Sequence, residues 1–250
     1  MRLLSEVIRL LEDRLAESTV SELAVSVPYT GVMLDGSSLG VCYTVTEGRD
    51  KNRSPPPGEA KGSSALELAK LALAPTGIES SIGVATLNAG VELPEGAVEG
   101  DPLDFLTLSP EDRVCVLGSF PDRYLEVIRE SAGELWVLER PQKLGHGLLP
   151  DWAVEVILPQ CTILIATGST IPNKTLERSL ELASDARERV VVGASVPLLP
   201  EPFAKRGVTI LAGVQFTDPT SAFRVVTVSY THLRAHETEA DLVCRLLLEK

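Results

Sequence analysis

The 250-residue chain is acidic, because 35 Asp and Glu residues against 23 Lys and Arg residues give a formal net charge of −12. An acidic chain without a basic stripe binds nucleic acid and anionic membranes poorly, so neither is expected as a partner. No run approaches the ~20 apolar residues that a membrane-spanning helix needs. Since the N-terminus also lacks the pattern of a cleavable leader, we expect a soluble cytoplasmic protein.

The first ninety residues predict a small α+β domain. An opening amphipathic helix is indicated by apolar residues at helical spacing, namely Leu4, Val7, Ile8, Leu11 and Leu15. Residues 23–27 alternate as a half-buried strand does, and an Asp35-Gly36 turn leads into the alternating residues 39–45, which predicts a hairpin. Helices are expected over 65–73 and 78–88, with Thr76 and Glu79 forming a capping box for the second. The charged, Pro- and Gly-rich residues 47–63 predict a long loop.

A second domain is indicated from Arg113 onward, where short apolar strands alternate with helical segments. The predicted strands are 114–117, 135–138, 162–166, 190–192 and 208–211, and the predicted helices are 124–131, 152–158, 176–183 and 202–206. Such alternation is typical of a parallel sheet with helices on both faces. The sequence therefore predicts an α/β protein with domains at 1–90 and 113–227, joined by a Pro- and Gly-rich linker at 91–112.

Residues 228–250 match a different kind of sequence. V-S-Y-T-H-L-R-A-H-E-T at 228–238 is the in-frame translation of a transposon-end sequencing adapter, and D-L-V-C-R-L-L-L-E-K at 241–250 translates the flow-cell adapter that follows it. We interpret this segment as not native, which truncates the protein near Thr227, and we expect it to lack fixed partners in the core. The alternative is a C-terminal helix over 241–248, because Leu242, Val243 and Leu246 have helical spacing.

Small and polar residues follow every predicted strand of the second domain. They are Gly118, Ser119, Phe120 and Pro121, then Glu139 and Arg140, then Thr167, Gly168, Ser169 and Thr170, then Gly193, Ala194 and Ser195, and finally Ala212 and Gly213. In open α/β sheets the ligand binds in a crevice outside the carboxyl ends of the strands. We therefore expect the binding site at this edge.

Residues 167–175, T-G-S-T-I-P-N-K-T, run from a buried strand through a polar turn into a predicted helix that begins near Asn173. A helix N-terminus presents unpaired N–H groups and a positive dipole end, which suit phosphate or carboxylate. Asn173 is the expected N-cap, with Thr170 as the alternative. Lys174 opposes the dipole, so it either accompanies a bound anion or is a surface lysine directed to solvent.

A P-loop is matched only at its outer positions, by Gly168, Lys174 and Thr175. Pro172 removes an amide from the segment that would cradle phosphate, and Asn173 replaces the second glycine. A nucleoside triphosphate site is therefore not expected.

The spacing of Gly118 and Glu139 resembles that of dinucleotide-binding folds. Glu139 lies at the end of the next predicted strand, about twenty residues on, where those folds carry their ribose-binding acid. The segment G-S-F-P-D-R lacks the fingerprint G-x-G-x-x-G, and Pro121 suits a helix start equally well. Dinucleotide binding stays an alternative.

Candidate metal ligands are few outside the adapter-like tail. His146, in the loop 143–147, is the best single candidate for proton transfer or metal ligation, although a lone loop histidine is usually just exposed. Cys42, Cys115 and Cys161 form no C-x-x-C pair, so neither a disulfide framework nor a thiolate zinc site is indicated. Glu139 and His146 remain as weak metal candidates.

Several segments resemble the heavy-metal chelation family of domains of unknown function. The resemblance rests on V-A-T-L-N-A (84–89), I-A-T-G-S-T-I-P-N-K-T (165–175), V-G-A-S-V-P-L-L-P (192–200) and G-V-T-I-L-A-G-V-Q-F-T-D (207–218). It implies an enolase-N-terminal-like domain, a Rossmann-like domain, a cleft between them, and a role in chelating heavy metals or in anaerobic corrinoid metabolism. The family's G-P-S-T-P pattern maps onto residues 193–197, where Ala194 and Val196 depart from it.

Two functions follow as hypotheses from the sequence and the resemblance. The first is a protein that binds a heavy-metal ion or a metal-bearing small molecule between its domains. The second is an enzyme that acts on an anionic metabolite or a nucleotide-like cofactor, and a homo-oligomeric state is left open for both. The predicted ligand-binding residues are Asn88, Gly118, Phe120, Glu139, Thr167, Gly168, Ser169, Thr170, Asn173, Lys174 and Ser195.

Overall fold

Two β-sheets organise the chain, one small and antiparallel and the other large and mainly parallel. The computed structural model describes residues 2–46, 60–140, 145 and 147–227, together with the backbone of residues 239–245. This arrangement confirms the predicted α/β class, with a small α+β unit preceding the parallel sheet. Within the described part, no helix has the length and apolar character needed to cross a membrane.

The N-terminal unit packs helices against a sheet of order β1-β2-β3. Its elements are α1 (Arg2–Leu10), α2 (Glu12–Glu17), β1 (Val20–Val25), β2 (Tyr29–Leu34), β3 (Ser38–Tyr43), α3 (Ala65–Lys70) and α4 (Gly77–Gly90). The predicted turn joins β2 to β3, and its residues Asp35 and Gly36 have φ values of 51° and 70°. Alternation does not predict β2, because residues 30–34 are all buried and leave no polar face.

Helix α4 is buried nearly all round, and glycine allows it to lie close to the sheet. A Cβ atom on Gly40 of β3 would lie 2.1 Å from the Ala85 carbonyl oxygen and 2.2 Å from the Ala89 amide nitrogen. Ser81 donates its hydroxyl to the Gly77 carbonyl at 2.8 Å, so this polar side chain is satisfied within the helix.

The predicted capping box at the start of α4 has a different geometry. Thr76 donates its hydroxyl to the Glu79 carboxylate, and the Thr76 side chain bonds to no backbone amide of the helix. The two side chains satisfy each other instead of the orphan amides of the first turn, so the capping-box prediction is wrong in this detail.

The large sheet contains parallel strands in the order β7-β6-β5-β8-β9-β10. The strands are β5 (Arg113–Leu117), β6 (Glu134–Glu139), β7 (Leu149–Pro150), β8 (Ile163–Thr167), β9 (Glu188–Val192) and β10 (Ile210–Phe216). Helices α5 (Asp122–Ser131), α6 (Val154–Ile157), α7 (Leu176–Leu182), α8 (Pro200–Ala204) and α9 (Pro219–Thr227) connect or follow them. Counted from β5, the order is 3-2-1-4-5-6, that of the Rossmann fold, and the strand order reverses between β5 and β8.

One edge of the large sheet continues with antiparallel strands. β11 (Glu239–Arg245) pairs with β10, and β4 (Val98–Glu99) pairs with β11. The alternative of a helix in this segment is therefore wrong for residues 241–245, and their backbone has partners where we expected none. An exposed strand edge pairs with any extended segment through backbone N–H and C=O groups, without matched side chains. The adapter origin of residues 228–250 stays a prediction.

The segment interpreted as a linker packs against the large sheet. It contains β4 and a 3₁₀ turn over Pro102–Phe105. Its apolar side chains Leu103, Phe105, Leu106 and Leu108 pack on the core that contains the β5 residue Val114. Residues 91–112 thus contribute to the packing of the parallel sheet.

The two sheets share one continuous hydrophobic core. Helix α9 returns to the N-terminal unit, where a Cβ on Gly31 would lie 3.2 Å from Val226 Cγ1 and 3.5 Å from the Phe223 ring. At the other end, Glu6 of α1 accepts from Lys205 at 2.6 Å and from Arg206 at 3.1 Å. Helices α1 and α9 therefore both contribute to the contact between the two sheets.

Gly40→Ala tests the close approach of α4 to β3. The added methyl group meets backbone atoms that cannot rotate away, so the free energy of unfolding should fall by about 3 kcal/mol, measured by urea denaturation. Gly145→Ala is the matched control, because its new Cβ would meet only Leu148 Cδ1, at 3.7 Å. We expect the control to cost less than about 1 kcal/mol. Equal urea midpoints for the two variants would contradict the observed packing.

Candidate functional site

A cleft of about 870 Å³ opens at the carboxyl ends of the parallel strands. Its walls include Gly118 after β5, Thr167 at the end of β8 and Gly193 after β9. From the N-terminal unit, Tyr29 and Tyr43 also line it, and their rings meet edge to face with centroids 6.5 Å apart. The cleft therefore lies where the strand order reverses and where the two sheets face each other.

Glycine at position 118 allows the two central loops to meet. Gly118 has a φ of 93°, and a Cβ atom there would lie 2.6 Å from Thr167 Cγ2. Gly193, with a φ of 129°, lies opposite Gly168, whose amide nitrogen would be 3.6 Å from an added Cβ. The Thr167 side chain therefore occupies the space that a Cβ at Gly118 would need, and backbone alone separates the loops after β8 and β9.

The loop after β8 uses most of its amides internally. It forms a 3₁₀ turn over Gly168–Thr170, and the amides of Ile171, Asn173, Lys174 and Thr175 donate to carbonyls within the loop. The Asn173 side chain accepts from the Thr175 amide at 3.0 Å and from its hydroxyl at 2.7 Å. Helix α7 spans Leu176–Leu182, which agrees with the predicted helix over 176–183, but its N-cap residue is Thr175, so the predicted N-cap at Asn173 is wrong. Anion binding by this loop stays a prediction.

Lys174 has a role that the sequence analysis did not include. Its φ is 68°, and its ammonium group donates to the Ala72 carbonyl and the Ser80 hydroxyl of the N-terminal unit. Burial lowers the pKa of Lys174 to about 8. The alternative of a lysine directed to solvent is therefore wrong, because the ammonium group ties the β8 loop to the N-terminal unit. Its pairing with a bound anion stays a prediction.

Two further hydrogen bonds connect the loop after β9 to the N-terminal unit. The Tyr43 amide donates to the buried Ser195 hydroxyl at 2.8 Å. The Asn88 side-chain amide donates to the Ala194 carbonyl at 3.1 Å and to the Val41 carbonyl at 2.7 Å. Asn88 lines a neighbouring pocket of about 90 Å³ rather than the main cleft. Of the predicted ligand-binding residues, it is the one outside the cleft wall.

Glu139 ends strand β6, lines the cleft and is only 6% exposed. Its Oε2 atom accepts from the Arg140 amide at 3.1 Å, whereas its Oε1 atom has no hydrogen-bond partner among the described residues. Phe120, also predicted, lines the cleft and packs on the core beside β5. The structure thus brings Gly118, Phe120 and Glu139 together at one side of the cleft.

Large side chains at the rim of the cleft were missing from the predicted site. Trp152 lines it and is 72% exposed, an unusual exposure for this residue type. Arg123 lies over the Tyr124 ring, 4.7 Å from its centroid, and Tyr124 donates to Asp101 at 2.8 Å. Arg178 pairs with Glu155 at 2.7 Å. The strand-end argument cannot find these residues, because they belong to helices and to short turns.

The thiols of Cys42, Cys115 and Cys161 are buried, and none of the three residues lines the cleft. Burial raises the pKa of Cys42 to about 12, and Cys161 donates its thiol to the Leu158 carbonyl at 3.1 Å. Within the described residues, no group of three or more His, Cys, Asp or Glu side chains could hold a metal ion. The candidate His146 lies outside the described residues.

Two family models match the chain, and similar solved structures belong to the DUF364 family. A model of DUF364, described as "Putative heavy-metal chelation", matches residues 101–239, and a DUF4213 model with the same description matches residues 8–91. A DUF364 crystal structure from Pyrococcus horikoshii, of unknown function, is 26% identical with a TM-score of 0.85, covering 98% of this chain and 100% of that one.

Two further relatives are more distant. A DUF364 structure from Desulfitobacterium hafniense has a TM-score of 0.77 at 22% identity and covers 97% of this chain and 100% of that one, which shows the fold. An uncharacterized protein of Methanocaldococcus jannaschii is 24% identical over 86% of this chain and 85% of its own length.

Lys174→Met tests the buried lysine through the pH dependence of stability. The folded pKa of about 8 lies below the ordinary 10.5, so the unfolded chain binds more protons between those values. This lysine therefore makes the free energy of unfolding rise with pH across that window, and the rise should be smaller in Lys174→Met. Urea unfolding at intervals from pH 8 to pH 10.5 measures both slopes.

Lys205→Met is the control for that experiment. Glu201 and Glu6 raise the pKa of this surface lysine, so its contribution to stability is lost as the pH rises, which is the opposite sign. Identical slopes for the wild type and Lys174→Met would contradict the burial of Lys174.

Proposed function

Because the chain belongs to the DUF364 family, we propose that it holds a heavy metal in the cleft as a complex with a small organic ligand. The observation that carries the proposal is the cleft itself, about 870 Å³ at the strand-order reversal. Ligand pockets for drug-sized molecules span roughly 300–1,000 Å³, whereas a bare ion needs only a few converging donors. The size of the site therefore favours an organic molecule.

The chemistry of the lining supports the same choice. Apolar side chains such as Leu103 and Leu106 stand beside hydroxyl groups such as those of Thr167 and Ser169. Soft metals prefer thiolate and imidazole ligands. Cys42 is buried in the core, where burial opposes formation of the thiolate. Hydroxyl and backbone groups instead suit recognition of the organic part of a complex.

Each predicted residue has a part in this proposal. Gly118, Gly168 and Phe120 shape the wall, and Glu139 with the hydroxyls of Thr167 and Ser169 binds polar groups of the ligand. Thr170, Asn173, Lys174, Ser195 and Asn88 hold the loops and the N-terminal unit in position.

A second candidate function is an enzyme that acts on an anionic metabolite. The observation in its favour is the charge of the cleft. Among the described lining residues, the basic ones are Arg123, Arg140, Lys174 and Arg178, and the acidic ones are Glu139 and Asp151. Arg178 is paired with Glu155, and the remaining excess of one positive charge contrasts with the net charge of −12 and would attract an anion.

Equilibrium dialysis of the full chain tests the first proposal. Cobalt, nickel and iron salts, molybdate, a corrinoid and an iron porphyrin are compared as ligands. We expect at least one organic complex to be retained and the simple ions not to be. Retention of a simple cation alone, or of nothing in this panel, would contradict the proposal.

Ser119→Trp tests whether the retained complex binds in the cleft. Ser119 is an exposed residue of the cleft wall, so a tryptophan there should occupy the ligand's volume and reduce binding by about 10-fold or more. Ser184→Trp is the matched control, since Ser184 is exposed and lies outside the cleft wall. Equal affinity of both variants for the retained complex would place the binding site elsewhere.

A further inference from the structure

Among the described residues of the cleft wall, Glu139 has a buried carboxylate oxygen without a hydrogen-bond partner. It is 6% exposed, and the Arg140 amide fixes its Oε2 atom at 3.1 Å. The Oε1 atom is buried and has no hydrogen-bond partner among the described residues. Because a buried acceptor without a donor costs free energy, a donor supplied by a ligand would stabilise this arrangement.

The position of Glu139 in the sheet indicates which donor that is. Glu139 ends β6, the strand next to β5 on the side away from the strand-order reversal. In sheets of this order, an acid near the end of the second strand accepts hydrogen bonds from ribose hydroxyls. The Gly118 amide donates to the Leu138 carbonyl at 2.9 Å, so the end of β5 lies directly beside Glu139.

The neighbouring loop distinguishes a nucleoside from a dinucleotide. Pro121, at the N-cap of α5, offers no amide to a phosphate group, and Asp122 places a negative charge in the first turn. Pyrophosphate at this helix is therefore disfavoured. Apolar side chains of Leu103, Leu106 and Phe120 line the same cleft and suit a planar base.

We propose that Glu139 binds the vicinal hydroxyls of a ribose, so that the cleft takes a nucleoside, or a nucleoside substituted at its 5′ carbon, without a pyrophosphate. The hydroxyls of Thr167 and Ser169 line the cleft across the strand-order reversal and face the 5′ substituent. This inference rests on the proposed function, because it names the chemical class of one part of the ligand in the same cleft.

Isothermal titration of the full chain measures the ribose contacts. The ligands are adenosine, guanosine, cytidine, uridine, 2′-deoxyadenosine, free ribose and NAD. We expect at least one ribonucleoside to bind, and 2′-deoxyadenosine to bind about 10- to 100-fold more weakly than adenosine if adenine is the preferred base, as for loss of a hydrogen bond to a charged group. If another base is preferred, its 2′-deoxynucleoside replaces 2′-deoxyadenosine. NAD should gain nothing over adenosine.

Glu139→Gln tests whether this residue makes the contact with the ribose hydroxyls. It should weaken the ribonucleoside by about 10-fold or more and the deoxynucleoside by clearly less, since the deoxy ligand keeps only its 3′ hydroxyl as a partner for Glu139. Glu139→Asp keeps the charge and should retain part of the preference for ribose. Thermal unfolding of each variant verifies that it is folded.

The outcomes separate this inference from the proposed function. If a metal complex binds in the cleft and no ribonucleoside does, or if ribo- and deoxynucleosides bind alike, the ribose inference fails and the proposed function stands. Equal affinity for free ribose and for ribonucleosides would show that the base does not contribute to binding, which would contradict a nucleoside site. If Glu139→Gln abolishes binding of cobalt(II) and leaves nucleosides unaffected, the carboxylate is a metal ligand and the inference is wrong.

Discussion

The reversal of strand order between β5 and β8 is the constraint on which the site depends. The chain leaves these two strands toward opposite sides of the sheet, so no connecting helix covers the space outside their carboxyl ends. The loops after these strands approach closely because Gly118 has no side chain and the Thr167 side chain lies where a Cβ would be. The remaining space is the cleft, and its other wall comes from Tyr29 and Tyr43 of the small sheet.

Directional polar contacts fix the N-terminal unit over that space. Ser195 accepts from the Tyr43 amide, and Lys174 donates to the Ala72 carbonyl and the Ser80 hydroxyl. Buried groups of this kind cost free energy when their partners move away, so they favour one relative position of the two sheets. The loops after β8 and β9 therefore both line the cleft and hold its opposite wall in place.

The family description and the chemistry of the cleft are compatible if the metal arrives inside an organic ligand. The described thiols lie in the core, where burial raises the pKa of Cys42 and keeps it protonated. The groups that do reach the cleft are hydroxyls, backbone amides, arginines and the Glu139 carboxylate. Such groups recognise hydroxyl, carbonyl and phosphate functions more readily than they displace water from a soft metal ion.

The sequence by itself determined the class of fold and the edge of the sheet where the cleft lies. Strand-like apolar runs, helix-like spacing of apolar residues, and turn residues such as Gly118 and Gly193 are patterns that extend over only a few neighbouring residues. These local signals therefore predicted a parallel sheet and a cleft wall that includes Glu139. The same signals failed for β2, whose residues are buried on both faces and show no alternation.

Only the tertiary structure decided what the individual side chains do. Lys174 was predicted to face solvent or an anion, but its partners Ala72 and Ser80 lie 102 and 94 residues away in the chain. Asn173 was predicted to cap this helix, but the N-cap residue of α7 is Thr175. Local propensity acts over a few residues, whereas these contacts exist only after two units distant in sequence have packed against each other.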